Sequence, residues 1–216
     1  MSYKLIYFDL RGAAESSRML FAIAGVEYED FRFPIEFVDG RPESPQFKEA
    51  IEDGSFTRNM GRLPVLETEG VQLGHSKAIE RFLAKRFQML GDSEIEAARI
   101  DAVCEHVRDI KDAFQVIRSM KAEEEKKVAV VKWYDSELPG SLAKLESCLG
   151  GDEHAVGTRL SLADICIFML LTEFFENVEK CASAFKDLKR LSQIVEHVKS
   201  LDAVKGWIEK RPDTMF

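Results

Sequence analysis

Residues 61–86 read GRLPVLETEGVQLGHSKAIERFLAKR, and the folding of this stretch decides how the rest of the chain is read. Leu63 to Glu67 is a β-type run, Val71 to Leu73 is a second, and Glu69-Gly70 between them has the composition of a tight hairpin turn. From Ser76 to Phe87 the period changes, with Ile79, Phe82 and Leu83 falling on one side of a helix. The pentad Gly74-His75-Ser76-Lys77-Ala78 therefore sits at a strand-to-helix junction. A hydrolase elbow, G-x-S-x-G, puts a nucleophilic serine at such a junction. Here Ala78 only half satisfies the motif, and the later chain offers no recognisable histidine and acid to complete a triad. The other reading is a helix start whose N–H groups hold an anion.

Working outward, the first eighty residues alternate strand and helix signals. Lys4 to Phe8 reads as a strand, Ala14 to Ala24 as a helix stopped by Gly25, and Tyr28 to Phe33 as a second strand. A Pro- and Gly-punctuated stretch, Pro34 to Met60, follows, with one helix expected over Pro45 to Ile51. The order is β-α-β-α-β-β-α, a small mixed sheet with helices on its faces. Beyond Gln88 to Asp92 every strong pattern is helical. Ile100, Val103, Val107, Ile110, Phe114 and Ile117 form one apolar stripe, and Val131, Tyr134, Leu138, Leu142, Leu145 and Leu149 form another, with Pro139 expected to kink its helix. Ser161-Leu162-Ala163-Asp164 has the form of a capping box, and the run after it is apolar all round, as in a buried helix. Two domains are expected, 1–87 and 88–216, in an α+β chain.

Composition excludes several classes. Thirty Lys and Arg against 38 Asp and Glu give a net charge of −8, the wrong sign for a nucleic-acid surface. The run Ile165 to Leu171 is far short of the roughly 20 residues that span a bilayer, so no membrane partner is expected. The first residues lack a signal-peptide pattern, which leads to an expected cytoplasmic location. Cys104, Cys148, Cys166 and Cys181 are scattered, as are the four histidines, so no metal site is expected.

Four stretches in this order resemble the soluble glutathione transferases: Tyr7-Phe8-Asp9-Leu10-Arg11-Gly12, Gly61 to Glu67, His75 to Leu83, and Ser161 to Asp164. The pair Tyr7-Phe8 followed by Arg11-Gly12-Ala13-Ala14-Glu15 is most similar to the sigma class, which includes the glutathione-dependent prostaglandin D synthases and the S-crystallins. The resemblance implies a thioredoxin-like domain at 1–87 that binds glutathione and an all-helical bundle at 88–216 that contributes the pocket for the electrophile. It implies a homodimer, a detoxifying transferase activity, and glutathione as co-substrate.

Residue by residue, the resemblance makes Tyr7 the hydroxyl that stabilises the glutathione thiolate, although a strand aromatic at the surface is the plainer reading of that residue. It makes the Leu63–Pro64 peptide cis and lets the Leu63 backbone pair with glutathione as an added strand would. Ser76 becomes an anion clamp for the γ-glutamyl carboxylate rather than a nucleophile. His75 stands where relatives carry glutamine, and Arg62 where they carry Lys or Gln. No tryptophan lies between Pro34 and Met60, so Lys48 is the candidate for the glycine end. Asp109 is expected to reach the ammonium of glutathione in a partner subunit, its alternative being a solvated acidic face with Glu105 and Asp112. The electrophile pocket is expected between Phe8, Leu10 and Ala13 on one side and Phe114 and Met120 on the other, though apolar residues at helical spacing are also core. Ala13 replaces the arginine of the prostaglandin synthases. A glutathione-dependent isomerase or peroxidase shares the glutathione contacts, and a crystallin-like or binding protein could keep the fold without the chemistry.

Overall fold

The computed structural model describes residues 2–38, 41–150 and 153–214. The chain divides into two compact units, Met1–Phe87 with Asp202–Phe216, and Gln88–Leu201. The C-terminal segment thus packs with the first unit, whereas the sequence pattern groups it with the helical half.

In the first unit the elements run β1 (Tyr3–Phe8), α1 (Glu15–Ala24), β2 (Glu29–Phe33), β3 (Glu36–Val38), β4 (Arg41–Glu43), α2 (Pro45–Glu52), β5 (Val65–Thr68), β6 (Val71–Gly74) and α3 (Ser76–Arg86). Four strands pair in the order β2-β1-β5-β6; β1 is parallel to β2 and antiparallel to β5. Between β5 and β6, Glu69 and Gly70 both take positive φ, 51° and 75°, the type I′ geometry that matches strand twist. Alternation along β1 sends Leu5 and Ile6 to opposite faces, each buried. On one face Ile6, Phe33, Phe56 and Val65 form an apolar cluster with Phe8, Phe47 and Leu63 against it. On the other, Tyr3 meets Phe21 of α1 edge-on at 5.3 Å. The hairpin β3–β4 lies within the Pro34–Met60 stretch; Glu36, Phe37 and Val38 are all exposed, so no buried-and-polar alternation marks it in the sequence.

The C-terminal helix of this unit, from Asp202 to Lys210, is tied to α1 through one buried carboxylate. Glu15, only 1% exposed, accepts from Trp207 Nε1 at 2.8 Å, Arg211 at 3.0 Å and Arg18 at 3.2 Å. Arg18, fully buried, also donates to Asp30 at 3.1 Å and to the carbonyls of Leu10 and Arg11 at 2.7 and 3.2 Å. A guanidinium survives burial only with such a set of acceptors.

The second unit is helical: α4 (Glu94–Arg118), α5 (Glu123–Lys132), α6 (Leu138–Cys148), α7 (Leu162–Met169), α8 (Val178–Phe185) and α9 (Lys189–Ser200), with the C-terminal helix numbered α10. The predicted α4 stripe is buried throughout, from Ile100 to Ile117. A π-helical stretch, Trp133–Glu137, joins α5 to α6 just ahead of Pro139, where the missing N–H interrupts the regular ladder. Every residue of α7 is buried. Its capping box is formed: Asp164 accepts from the Ser161 amide at 2.9 Å and hydroxyl at 2.7 Å, and also from the Ala155 amide at 2.7 Å.

Candidate functional site

Strand register assembles the site. Ile6 lies opposite Val65, and Val65 opposite Gly74. Next to this row lie Tyr7 after Ile6, His75 after Gly74 and, on the antiparallel β5, Pro64 before Val65, so three stretches singled out in the sequence meet at one end of β1, β5 and β6.

With Ile6 and Phe8 on the aromatic-cluster face, alternation turns Tyr7 toward α1. The Arg18 guanidinium carbon lies 5.9 Å from its ring centroid, and the Ala13 amide donates to Tyr7 Oη at 3.2 Å. A phenolic oxygen that accepts from an amide still has its own proton to give. Gly12 makes this approach possible. Its φ is +40°, and a Cβ there would stand 2.7 Å from Tyr7 Oη, so a side chain is disfavoured by both contact and backbone.

The Leu63–Pro64 peptide is cis, as the resemblance implies; Pro64 is buried and Leu63 half-buried. From β6 the chain enters α3 through His75, whose φ of 71° and ψ of 112° are a sparsely populated conformation costing about 1–3 kcal/mol. Such outliers cluster where a ligand is clamped. The His75 carbonyl accepts from the Ala78 and Ile79 amides at 2.9 and 3.0 Å, while its imidazole is exposed and makes no capping bond. Ser76 is the first residue of α3, so its amide precedes the helical ladder at the positive end of the dipole. In the first turn Lys77 donates to the buried Glu80 at 2.9 Å.

Other predicted residues have different surroundings. Lys48 donates to Glu43 at 2.7 Å in an exposed pair, so its charge already has a partner. The aromatic residue of α2 is Phe47, 5.0 Å from Phe8; it fills apolar space but lacks the N–H of an indole. Arg62 is exposed. Leu10 is half-buried and Ala13 exposed. In the helical unit Asp109 is exposed on the polar side of α4, and Met120, 36% exposed, lies just beyond that helix. Phe114 is 3% exposed and packs on Phe175, Trp133 and Tyr134 at 5.2, 5.3 and 5.9 Å. These are the neighbours of a core residue, although Phe114 also borders a cavity of about 730 Å³ with Arg118, Val130 and Val178.

Sequence reasoning missed Gly12 and Arg18, which stand against Tyr7. Gly12 carried the signal of a glycine four residues past the end of β1. Arg18 carried none, because its approach to the Tyr7 ring depends on how α1 packs against β1. Among the described residues, no cluster of three or more His, Cys, Asp or Glu could hold a metal ion, and no helix is long and apolar enough to cross a membrane.

Comparison with known proteins agrees with this geometry. Residues 3–85 match the model of the glutathione S-transferase N-terminal domain and residues 108–211 that of the C-terminal domain. The chain is 33% identical to hematopoietic prostaglandin D synthase of Gallus gallus, over 99% of this chain and 98% of the relative. It is 31% identical to glutathione S-transferase 1 of Ascaris suum, with the same coverage. A solved structure of a monomeric glutathione S-transferase from the hookworm Necator americanus superposes with a TM-score of 0.78 at 30% identity, over all of both chains. The chain belongs to the glutathione S-transferase family, with hematopoietic prostaglandin D synthases among its relatives.

Proposed function

We propose that this glutathione transferase activates its co-substrate through Tyr7 and conjugates the thiolate to small hydrophobic electrophiles. The observation that carries the reading is the bond from the Ala13 amide to Tyr7 Oη, at the sheet end shared by Leu63-Pro64 and His75-Ser76. A free thiol of pKa about 8.5 is only a few per cent ionised at neutral pH. A phenolic proton held against sulfur favours the anion; a shift of about two units corresponds to roughly 2.7 kcal/mol. The Leu63 backbone pairs with the cysteinyl unit, the Ser76 hydroxyl and amide hold the γ-glutamyl carboxylate, and His75 and Arg62 flank them. For the glycine carboxylate, Lys48 serves after exchanging Glu43 for the ligand. Asp109 serves glutathione in the partner subunit of a cytoplasmic homodimer. Phe8, Leu10, Ala13, Phe114 and Met120 are assigned to the electrophile.

Conjugation of a chlorodinitrobenzene, followed in mildly acidic buffer, tests the reading. Tyr7→Phe is expected to lower kcat about ten- to hundredfold while retention on glutathione resin persists. Equal turnover in both proteins would contradict it. A glutathione-dependent isomerase is the second reading, favoured by the likeness to the Gallus synthase. It uses the same thiolate but meets Ala13, which offers no positive charge to an anionic substrate.

A further inference from the structure

We propose that Asn59 is a positioning residue for the glutathione reaction: its side chain clamps the backbone on both sides of Leu63 and braces it against the end of β6, which delivers Ser76. The proposal rests on the reading that Leu63 and Ser76 hold glutathione.

Asn59 ends a single 3-10 turn, Thr57–Asn59. Its Nδ2 donates to the Arg62 carbonyl at 2.5 Å and to the Pro64 carbonyl at 3.3 Å, the two carbonyls that flank Leu63. The Asn59 carbonyl in turn accepts from the Arg62 amide at 3.1 Å. One side chain therefore holds the peptide that enters Leu63 and the peptide that leaves Pro64. Without it, the segment through Met60 and Gly61, both at positive φ, would be held chiefly by turn bonds.

The amide also has a bracing partner. A Cβ on Gly74 would stand 1.7 Å from Asn59 Oδ1 and 2.0 Å from Cγ, so the carboxamide occupies the space of a Gly74 side chain and leaves no room for even a methyl group. Gly74 is the last residue of β6, with His75 and Ser76 directly after it. The contact thus joins the loop that holds the cysteinyl unit to the helix start that holds the γ-glutamyl end. The glycine here is required for space rather than for conformation, since Gly74 is not among the positive-φ residues.

Steady-state kinetics of Asn59→Ala, Asn59→Asp, Gly74→Ala and the double variant Asn59→Ala/Gly74→Ala tests this, with thermal melting alongside. Asn59→Ala and Gly74→Ala are each expected to raise KM for glutathione about five- to tenfold, with the loss falling on KM more than on kcat. Asn59→Asp keeps the shape but loses the donor, and is expected to behave as Asn59→Ala. The double variant should be no worse than Asn59→Ala, because the new Cβ occupies space that the carboxamide has left. Unchanged KM in Asn59→Ala, with or without a lower melting temperature, overturns the proposal; so do single effects that multiply in the double variant. A wild-type protein that neither binds nor turns over glutathione would remove the functional reading itself, and the proposal with it, a result distinct from these.

Discussion

Replacing Glu15 with alanine is expected to destabilise the glutathione-binding unit by about 3–5 kcal/mol, the cost of removing one partner from a buried charge network. The carboxylate is almost wholly buried and is the common acceptor of Trp207, Arg211 and Arg18. Its loss leaves Arg18 with Asp30 and two backbone carbonyls but one negative charge fewer, and it unhooks α10 from α1. Function should fall with stability, because Arg18 holds the carbonyls of Leu10 and Arg11, in the loop that brings the Ala13 amide to Tyr7. Glu15→Gln keeps the volume and one acceptor oxygen, so it is expected to lose less than half as much. Urea denaturation followed by tryptophan fluorescence measures both, since Trp207 itself reports on the network. Equal stability of Glu15→Ala and wild type would show that the network contributes nothing.

Asp164→Ala is expected to be nearly as costly in the helical unit. The carboxylate is 0% exposed and satisfies two backbone amides and a hydroxyl. Each buried donor left unmade costs about 1–3 kcal/mol, so a loss of about 3 kcal/mol follows, together with fraying at the start of α7. Ser161→Ala removes the hydroxyl's donation to Asp164 and its acceptance from the Asp164 amide and should cost about 1 kcal/mol. Glutathione affinity of the folded fraction should be unchanged in both, which separates this effect from one on the site. Chemical denaturation resolves the ranking; a larger loss for Ser161→Ala would refute it.

Much of this was legible because local chemistry and fold agree. The α4 stripe and the capping box at Ser161 and Asp164 appear where their spacing puts them, and the turn at Glu69-Gly70 has the geometry its composition demands. What could not be read depends on distant partners. The attachment of α10 to the first unit rests on Glu15 meeting Trp207, a pairing that no periodicity reveals. The β3–β4 hairpin has no buried face to impose a pattern. Lys48 reads as a free cation until Glu43 is found beside it. Phe114 follows core spacing, and the structure packs it as core.

The claim that Tyr7 stabilises the thiolate is tested most directly by titrating the thiol of bound glutathione through its ultraviolet thiolate absorbance, in wild type and in Tyr7→Phe. In wild type the thiol is expected to ionise about two units below its free value, and in Tyr7→Phe close to that free value of about 8.5. The stabilisation of the bound anion is then fully present above the free value of about 8.5 and is lost as pH falls through the lowered pKa. The same titration midpoint in both proteins, with glutathione bound in each, would contradict the account.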